Sequence, residues 1–218
     1  MEVDGRLIDY IDYLSWELPE YLRDIYENAM TAKVPVIRKP AQSFLKVLLS
    51  MQRPKNILEI GTAVGFSSMF MSEFIDSDSK ITTIELIPER IKTARENFEK
   101  FGKTGQITLL EGDAGEYLKK FSEDENFKVD FVFMDAAQAQ YIYYLPFIRK
   151  IMVDGGVLLT DNVLHDGDII ESRYSVNRRD RTVHTRMREF LQEITHSEGL
   201  KTSILPIGDG MSVTCFRK

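Results

Sequence analysis

"VDFVFMDAAQAQY", residues 129–141, decides how this chain is read. Asp130 apart, Val129 to Met134 is an apolar run of strand length that stops at Asp135 and gives way to small residues, two glutamines and a tyrosine. Strands that are apolar on both faces belong to sheets covered on both sides, above all parallel ones. A carboxylate at the tip of such a strand needs a reason, because burying a charge without a partner is expensive. "GGVLLTDN", residues 155–162, repeats the arrangement with Asp161 and Asn162 at its end.

Outward from these two segments the chain alternates in period. "NILEIG" (56–61), "KITTIEL" (80–86) and "QITLLEGD" (106–113) read as further strands, and "KVDFVFMDA" (128–136) encloses the opening run. Helix-like stretches separate them: "FSSMFMSEFI", "PERIKTARENFEKF", "AGEYLKKF" and "QAQYIYYLPFIRKI". Pro88 stands at a first-turn position, where its missing N–H does no harm, and Gly102 follows the end of the same helix. Residues 1–51 look helical in three pieces, broken near Pro19 and by "VPVIRKP". After a long polar helix over about 178–197, Gly208-Asp209-Gly210 separates two β-like runs and predicts a hairpin. The expected fold is α/β: a Rossmann-like, doubly wound, seven-stranded sheet, mostly parallel with an antiparallel C-terminal hairpin, plus N-terminal helices. One domain is expected over 1–218, with a helical extension at 1–51 and a Rossmann-like core at 56–218.

The bulk properties set limits. With 218 residues, 43% hydrophobic and 28% charged, the chain can bury a sizeable core. A net charge of −6 argues against coating nucleic acid, DNA included, through global charge but leaves room for a local basic patch. The single cysteine, Cys215, cannot form an intrachain disulfide, and no apolar stretch or basic leader suggests a membrane partner or export. A cytoplasmic location is expected.

Ligands of such sheets bind beyond the carboxyl ends of the strands, where Glu59, Glu85, Asp113, Asp135 and Asp161 fall. "LEIGTAVGFSS" follows the first strand, but it reads G-x-x-x-G, not the G-x-G-x-x-G that receives a pyrophosphate. Glu59 beside that turn would repel a pyrophosphate and suit the ammonium of an amino acid. Glu85, 24 residues after Gly61, is placed to accept from two ribose hydroxyls, and Asp113 with the Ala114 backbone to meet an adenine edge. The joint order points to a ligand with a nucleoside at one end and an amino acid at the other.

"ILEIGTAVGFSS", "TTIEL", "LLEGDA", "FVFMDAA" and "LLTDNVL" together resemble the motifs of the class I S-adenosylmethionine-dependent, metal-dependent O-methyltransferases, the family of catechol and caffeoyl-CoA O-methyltransferases, over roughly residues 35–218. The resemblance implies S-adenosyl-L-methionine as cofactor: Glu59, Gly61 and Ser67 would hold its methionine part, with Ile37 lining that side. Glu85 would take the ribose, Ala114 would border the adenine, and Asp135 would be both a cofactor contact and the catalytic residue. Asp135, Asp161 and Asn162 offer three oxygen donors and no nitrogen or sulfur, which suits Mg²⁺, with Mn²⁺ or Ca²⁺ also accommodated. The resemblance assigns the metal to the same three. Asp161 and Asn162 can reach one ion only if the strand has ended, since neighbours on a strand face opposite ways. The family commonly reads D-A-A-K here. This chain has Gln138, which cannot accept a proton at neutral pH.

Within the family, "VPVIRKP", "TDNVLHDGDI", "NRRDRTVHTR" and "PIGDGMSV" resemble the bacterial tRNA 5-hydroxyuridine methyltransferases. That implies 5-hydroxyuridine at the tRNA wobble position as acceptor and 5-methoxyuridine as product. Arg173 to Arg188 holds six arginines against Asp180 alone. Arg178, Arg179 and Arg181, with Arg186 and Arg188, are the expected contacts to phosphates of the anticodon stem-loop. Tyr141, Tyr143 and Tyr144 are candidates to stack on a base, although at helical spacing some must be core. His165 and His184 receive no role. A small-molecule catechol or caffeoyl-CoA-type O-methyltransferase is the alternative, and a non-catalytic S-adenosylmethionine-binding module the alternative of another class. A homodimer, through the N-terminal helices, is implied by the family.

Overall fold

The computed structural model describes residues 5–14 and 16–217. The expectation for residues 1–4, inside the helical extension, lies outside them. Seven strands form one sheet: β1 (Asn56–Ile60), β2 (Lys80–Glu85), β3 (Ile107–Glu111), β4 (Val129–Met134), β5 (Met152–Thr160), β6 (Leu200–Leu205) and β7 (Met211–Phe216). Their order is β3-β2-β1-β4-β5-β7-β6. The first five are mutually parallel, and β7 runs antiparallel to both β5 and β6. The winding therefore reverses between β1 and β4, which opens a crevice at their carboxyl ends.

The opening segment shows why the strands read as they do. Phe131, Val132, Phe133 and Met134 are all fully buried. Phe131 and Phe133 pack into the core on one face, and Val132 and Met134 into the core on the other. Two-residue periodicity sends alternate side chains to opposite faces, and helices cover both. On the first face lie α2 (Glu20–Thr31), α3 (Lys39–Gln52), α4 (Phe66–Ser72) and α5 (Pro88–Lys100), contributing Leu22, Leu45, Phe70 and Phe98. On the second lie α6 (Ala114–Glu123), α7 (Tyr141–Ile151) and α8 (Arg181–His196), contributing Leu118, Ile148 and Phe190. Each such side chain adds about 1.5–3 kcal/mol by leaving water.

The N-terminal part holds α1 (Gly5–Tyr13) as well as α2 and α3, the three expected pieces. Tyr26 of α2 meets Phe66 of α4 edge-on, with ring centroids 5.6 Å apart. Leu7, Tyr10, Tyr13 and Leu14 remain exposed. No helix among the described residues is long and apolar enough to cross a membrane.

Two boundaries differ from expectation in ways that matter. The strand read over 155–162 is β5, Met152–Thr160, and it stops one residue before Asp161. The helix read over about 178–197 is α8, Arg181–His196, so Arg178 and Arg179 precede it. The connection between β5 and α8 contains a short 3-10 segment, His165–Ile170, and is otherwise irregular.

Candidate active site

Gly61 starts the site. Its φ is +100°, in the region that favours glycine, and a Cβ there would overlap the carbonyl oxygen of Asp135. The tips of β1 and β4 are therefore in backbone contact, and the sequence reading of Gly61 as a ligand-approach residue was incomplete: it also seats Asp135. Gly65 does similar service at the start of α4, with φ +85° and the Phe98 ring where its Cβ would be. Between them the chain curls over a cavity of about 730 Å³. That lies within the range for small-molecule sites.

Most of the expected residues meet at this cavity. Ile37, Gly61, Ser67, Glu85, Asp113, Ala114, Asp135 and Asn162 all line it. Glu85 at the tip of β2 accepts from three backbone N–H groups: Ala63 at 2.8 Å, and Leu86 and Ile87 at 2.9 Å each. The carboxylate is thereby fixed and braces the loop after β1. Asp113 caps α6, accepting from the Glu116 N–H at 3.1 Å, a role the sequence reading had not given it.

Glu59 and Asp161 lie behind the cavity wall. Glu59 is completely buried; its Oε2 accepts from the Ser68 and Thr83 hydroxyls, while Oε1 has no partner among the described residues. Burial pushes its pKa up from 4.5 to about 7, the hydroxyl donors oppose the rise, and the Asp135 charge adds to it. A buried carboxylate with one idle oxygen is short of a positive partner.

Asp135, Asp161 and Asn162 come together at the tips of β4 and β5. Because β5 ends at Thr160, Asn162 can take φ +60°, a left-handed turn that asparagine tolerates. Its side-chain Nδ2 then donates to Asp135 Oδ1 at 3.1 Å. Rotation of the amide about its last bond presents its oxygen instead. Asp161 Oδ1 accepts from the Asn162 N–H at 2.8 Å. Burial raises the pKa of both acids; for Asp161, which reaches about 7, the Asp135 carboxylate is the next cause. Two buried acids that repel each other, beside a neutral amide oxygen, fit a hard divalent cation. Among the described residues no group of three His, Cys, Asp or Glu is placed to hold a metal, so a cation at these strand tips would need the Asn162 amide oxygen beside the two acids.

Tyr141 was expected as a stacking candidate, and the structure corrects this. It is fully buried; its hydroxyl receives the Ala136 N–H at 3.1 Å and donates to the Ala136 carbonyl at 3.3 Å. It pins the turn that follows Asp135. Tyr144 is also buried, while Tyr143 is 52% exposed. Arg90, Phe147 and Gln140 also line the cavity and were not singled out from the sequence.

The arginine run divides. Arg181 donates to the carbonyls of Val176 and Tyr174. Arg186 donates to Ala139 O and Arg188 to Ile169 O and Glu171 O. Arg181 and Arg188 tie the irregular connection to α8, and Arg186 ties the turn after β4 to it, rather than forming a free basic groove; carbonyls outside a ladder need such donors. Arg178 is exposed, and the Arg179 side chain is 86% exposed with only its neighbour Asp180 as a partner among the described residues.

Comparison with known proteins follows the same lines. A family model described as O-methyltransferase matches residues 13–218. "Tapetum-specific methyltransferase 1" of Arabidopsis thaliana is 27% identical over 197 residues, covering 90% of this chain and 83% of its own. A catechol O-methyltransferase of Niastella koreensis is 28% identical over 170 residues, covering 78% and 76%. Among solved structures, a candidate caffeoyl-CoA O-methyltransferase from Staphylococcus aureus superimposes with a TM-score of 0.84 at 28% identity, over 97% of this chain and 98% of its own. An O-methyltransferase from Bacillus cereus in complex with SAH shares the fold, with a TM-score of 0.84 at 23% identity over 96% of each chain.

Proposed function

The chain belongs to the O-methyltransferase family, matched over residues 13–218, and from that premise we propose that it moves the methyl group of S-adenosyl-L-methionine to the 5-hydroxyl of 5-hydroxyuridine at the tRNA wobble position. The observation that carries the reading is the meeting of Asp135 and Asn162, 3.1 Å apart, on a cavity that also holds the Gly61 loop and Glu85. An acceptor oxygen and a nucleoside cofactor can occupy that space together.

In this reading Gly61, Ser67 and Ile37 enclose the methionine part, and the idle Glu59 Oε1 is matched by the cofactor's ammonium. Glu85 receives the ribose, and Asp113 with Ala114 borders the adenine. Asp135, Asp161 and Asn162 would hold Mg²⁺ or a like cation. When bound, such an ion lowers the pKa of an acceptor hydroxyl and orients it. The protein's own contribution is position, since transfer needs the oxygen in line with the sulfonium methyl. Gln138 lines the cavity and is no base. The proposed acceptor needs none, because an enol-like hydroxyl on an electron-poor ring ionises more readily than a phenol.

The RNA acceptor draws support from Arg178 and Arg179, which are exposed just ahead of α8, the helix tied to the cavity rim through Arg186 and Ala139. Unpaired anticodon bases are accessible without opening a duplex. The names of the relatives favour a second reading, a small catechol-type acceptor. A non-catalytic module is disfavoured by the family and by the complete donor set. Incubation with labelled cofactor and Mg²⁺, in parallel with hydroxyuridine-containing tRNA and with a catechol, separates these readings. Label in the catechol alone rejects the tRNA reading. We further propose that exposed Leu7, Tyr10 and Leu14 of the N-terminal part pair two copies into a homodimer in the cytoplasm. Light scattering on the purified chain tests the pairing.

A further inference from the structure

The turn after Asp135 carries unused polar groups. Gln138 and Gln140 form a single 3-10 turn, both line the cavity, and neither side-chain amide has a hydrogen-bond partner among the described residues. The turn is not loose: Arg186 of α8 donates to Ala139 O at 3.3 Å, and the Tyr141 hydroxyl grips Ala136. Two residues on, Tyr143 lines the same cavity, half exposed, with the Arg186 guanidinium 4.8 Å from its ring centroid. A guanidinium over one aromatic face fixes the ring and leaves its other side free to stack. A braced turn with idle carboxamides beside a half-open aromatic ring is a site for a flat polar heterocycle.

We infer that Gln138 is a specificity-determining residue that pairs with the lactam edge of the acceptor base, while Tyr143, held by Arg186, stacks on its face. This rests on the hydroxyuridine reading and names how the same site would choose that ring. In 5-hydroxyuracil the 5-hydroxyl and 4-oxo oxygens form the vicinal pair suited to the oxygen-donor cluster. The adjoining edge of the ring, beyond the 4-oxo group, keeps an N3–H next to the 2-oxo group. A carboxamide matches that edge, with Oε1 accepting from N3–H and Nε2 donating to the 2-oxo oxygen. A catechol has carbon–hydrogen bonds there and nothing to pair with. Leaving a paired site unsatisfied is what makes hydrogen-bonding pockets selective. Gln138 therefore discriminates between rings without taking part in proton transfer.

The test compares the full-length protein with its Gln138→Met variant, which keeps the bulk and removes both hydrogen-bonding atoms. Each is given a stem-loop containing 5-hydroxyuridine and one containing the N3-methylated analogue, with labelled cofactor and Mg²⁺, and kcat/KM is measured for all four pairs. The wild type should favour the unmethylated base by roughly 10- to 100-fold, the size of one or two hydrogen bonds. The variant should be slower on that base by a similar factor and should discriminate by no more than about 3-fold. Equal discrimination by both proteins overturns the role of Gln138 and leaves the hydroxyuridine reading standing. If the wild type labels neither stem-loop yet labels a catechol, the hydroxyuridine reading fails and this inference with it. Tyr143→Leu, expected to raise KM with kcat kept, checks the stacking part; unchanged KM overturns that part.

Discussion

Replacing Glu59 by glutamine separates the electrostatic account of the cofactor pocket from a merely structural one. Burial raises the Glu59 pKa from 4.5 to about 7 in the folded protein. At 1.36 kcal/mol per pH unit, that difference is about 3 kcal/mol. The folded state holds this proton more tightly than the unfolded chain does. Its influence on stability is therefore absent below about pH 4.5, grows as a loss between about 4.5 and 7, and is constant above. Asp161, also raised to about 7, adds to the same slope. Glu59→Gln should remove one proton's share of the loss, so urea unfolding between pH 5 and 8 should show a shallower decline than in the wild type. Cofactor binding gives the complementary reading. The ammonium of S-adenosylhomocysteine favours the ionised carboxylate, so wild-type affinity should fall about tenfold per pH unit below 7. At pH 8 the variant should bind 10- to 150-fold more weakly, the loss of one charge-assisted hydrogen bond. Titration calorimetry at several pH values measures both. Wild-type affinity that is flat from pH 5.5 to 8, with a variant within twofold of it, would refute the pairing of Glu59 with the ammonium.

Three further variants probe the frame around the site. Gly61→Ala forces a side chain into the Asp135 carbonyl at φ +100°; a loss of about 3 kcal/mol or more, lowering Tm by roughly 6–12 °C, is expected on thermal unfolding, and an unchanged Tm would contradict the close approach of β1 and β4. Tyr141→Phe removes the only side-chain partner that the structure gives the Ala136 N–H; about 1–3 kcal/mol of stability should disappear in urea titration. Arg178→Glu with Arg179→Glu should weaken stem-loop binding and reduce the slope of log affinity against log salt by roughly 1.5, whereas unchanged binding would remove these two residues from the RNA interface.

The sheet was legible because its central strands, β4 above all, are apolar on both faces, and helix-period stretches alternate with strand-like runs from residue 56 onward. Phe131 to Met134 leave little choice. The site was legible at strand tips, where Glu85, Asp135 and Asn162 have nowhere to go except the crevice. It was less legible wherever a side chain's partner is backbone. Nothing in "RRDRTVHTRMR" reveals that Arg181 and Arg188 are consumed by carbonyls of the irregular connection and Arg186 by the Ala139 carbonyl in the turn after β4. Nor does "AQAQY" reveal that Tyr141 turns inward to hold Ala136, because a tyrosine opening a helix can face either way. Gly61 was singled out for ligand approach, and its packing on Asp135 went unread because that neighbour across the sheet is 74 residues away in sequence. The end of β5 was misplaced by two residues, and those two are the proposed cation ligands Asp161 and Asn162.

The claim beneath all of this is that two acids and one amide share a divalent cation. Soaking crystals with Mn²⁺ and S-adenosylhomocysteine and collecting anomalous diffraction tests it directly. The account predicts one strong peak roughly 2.0–2.6 Å from oxygens of Asp135, Asp161 and Asn162, absent in Asp161→Ala protein that still binds the nucleoside. A peak elsewhere, or a cavity filled by cofactor with no peak at those three residues, contradicts it.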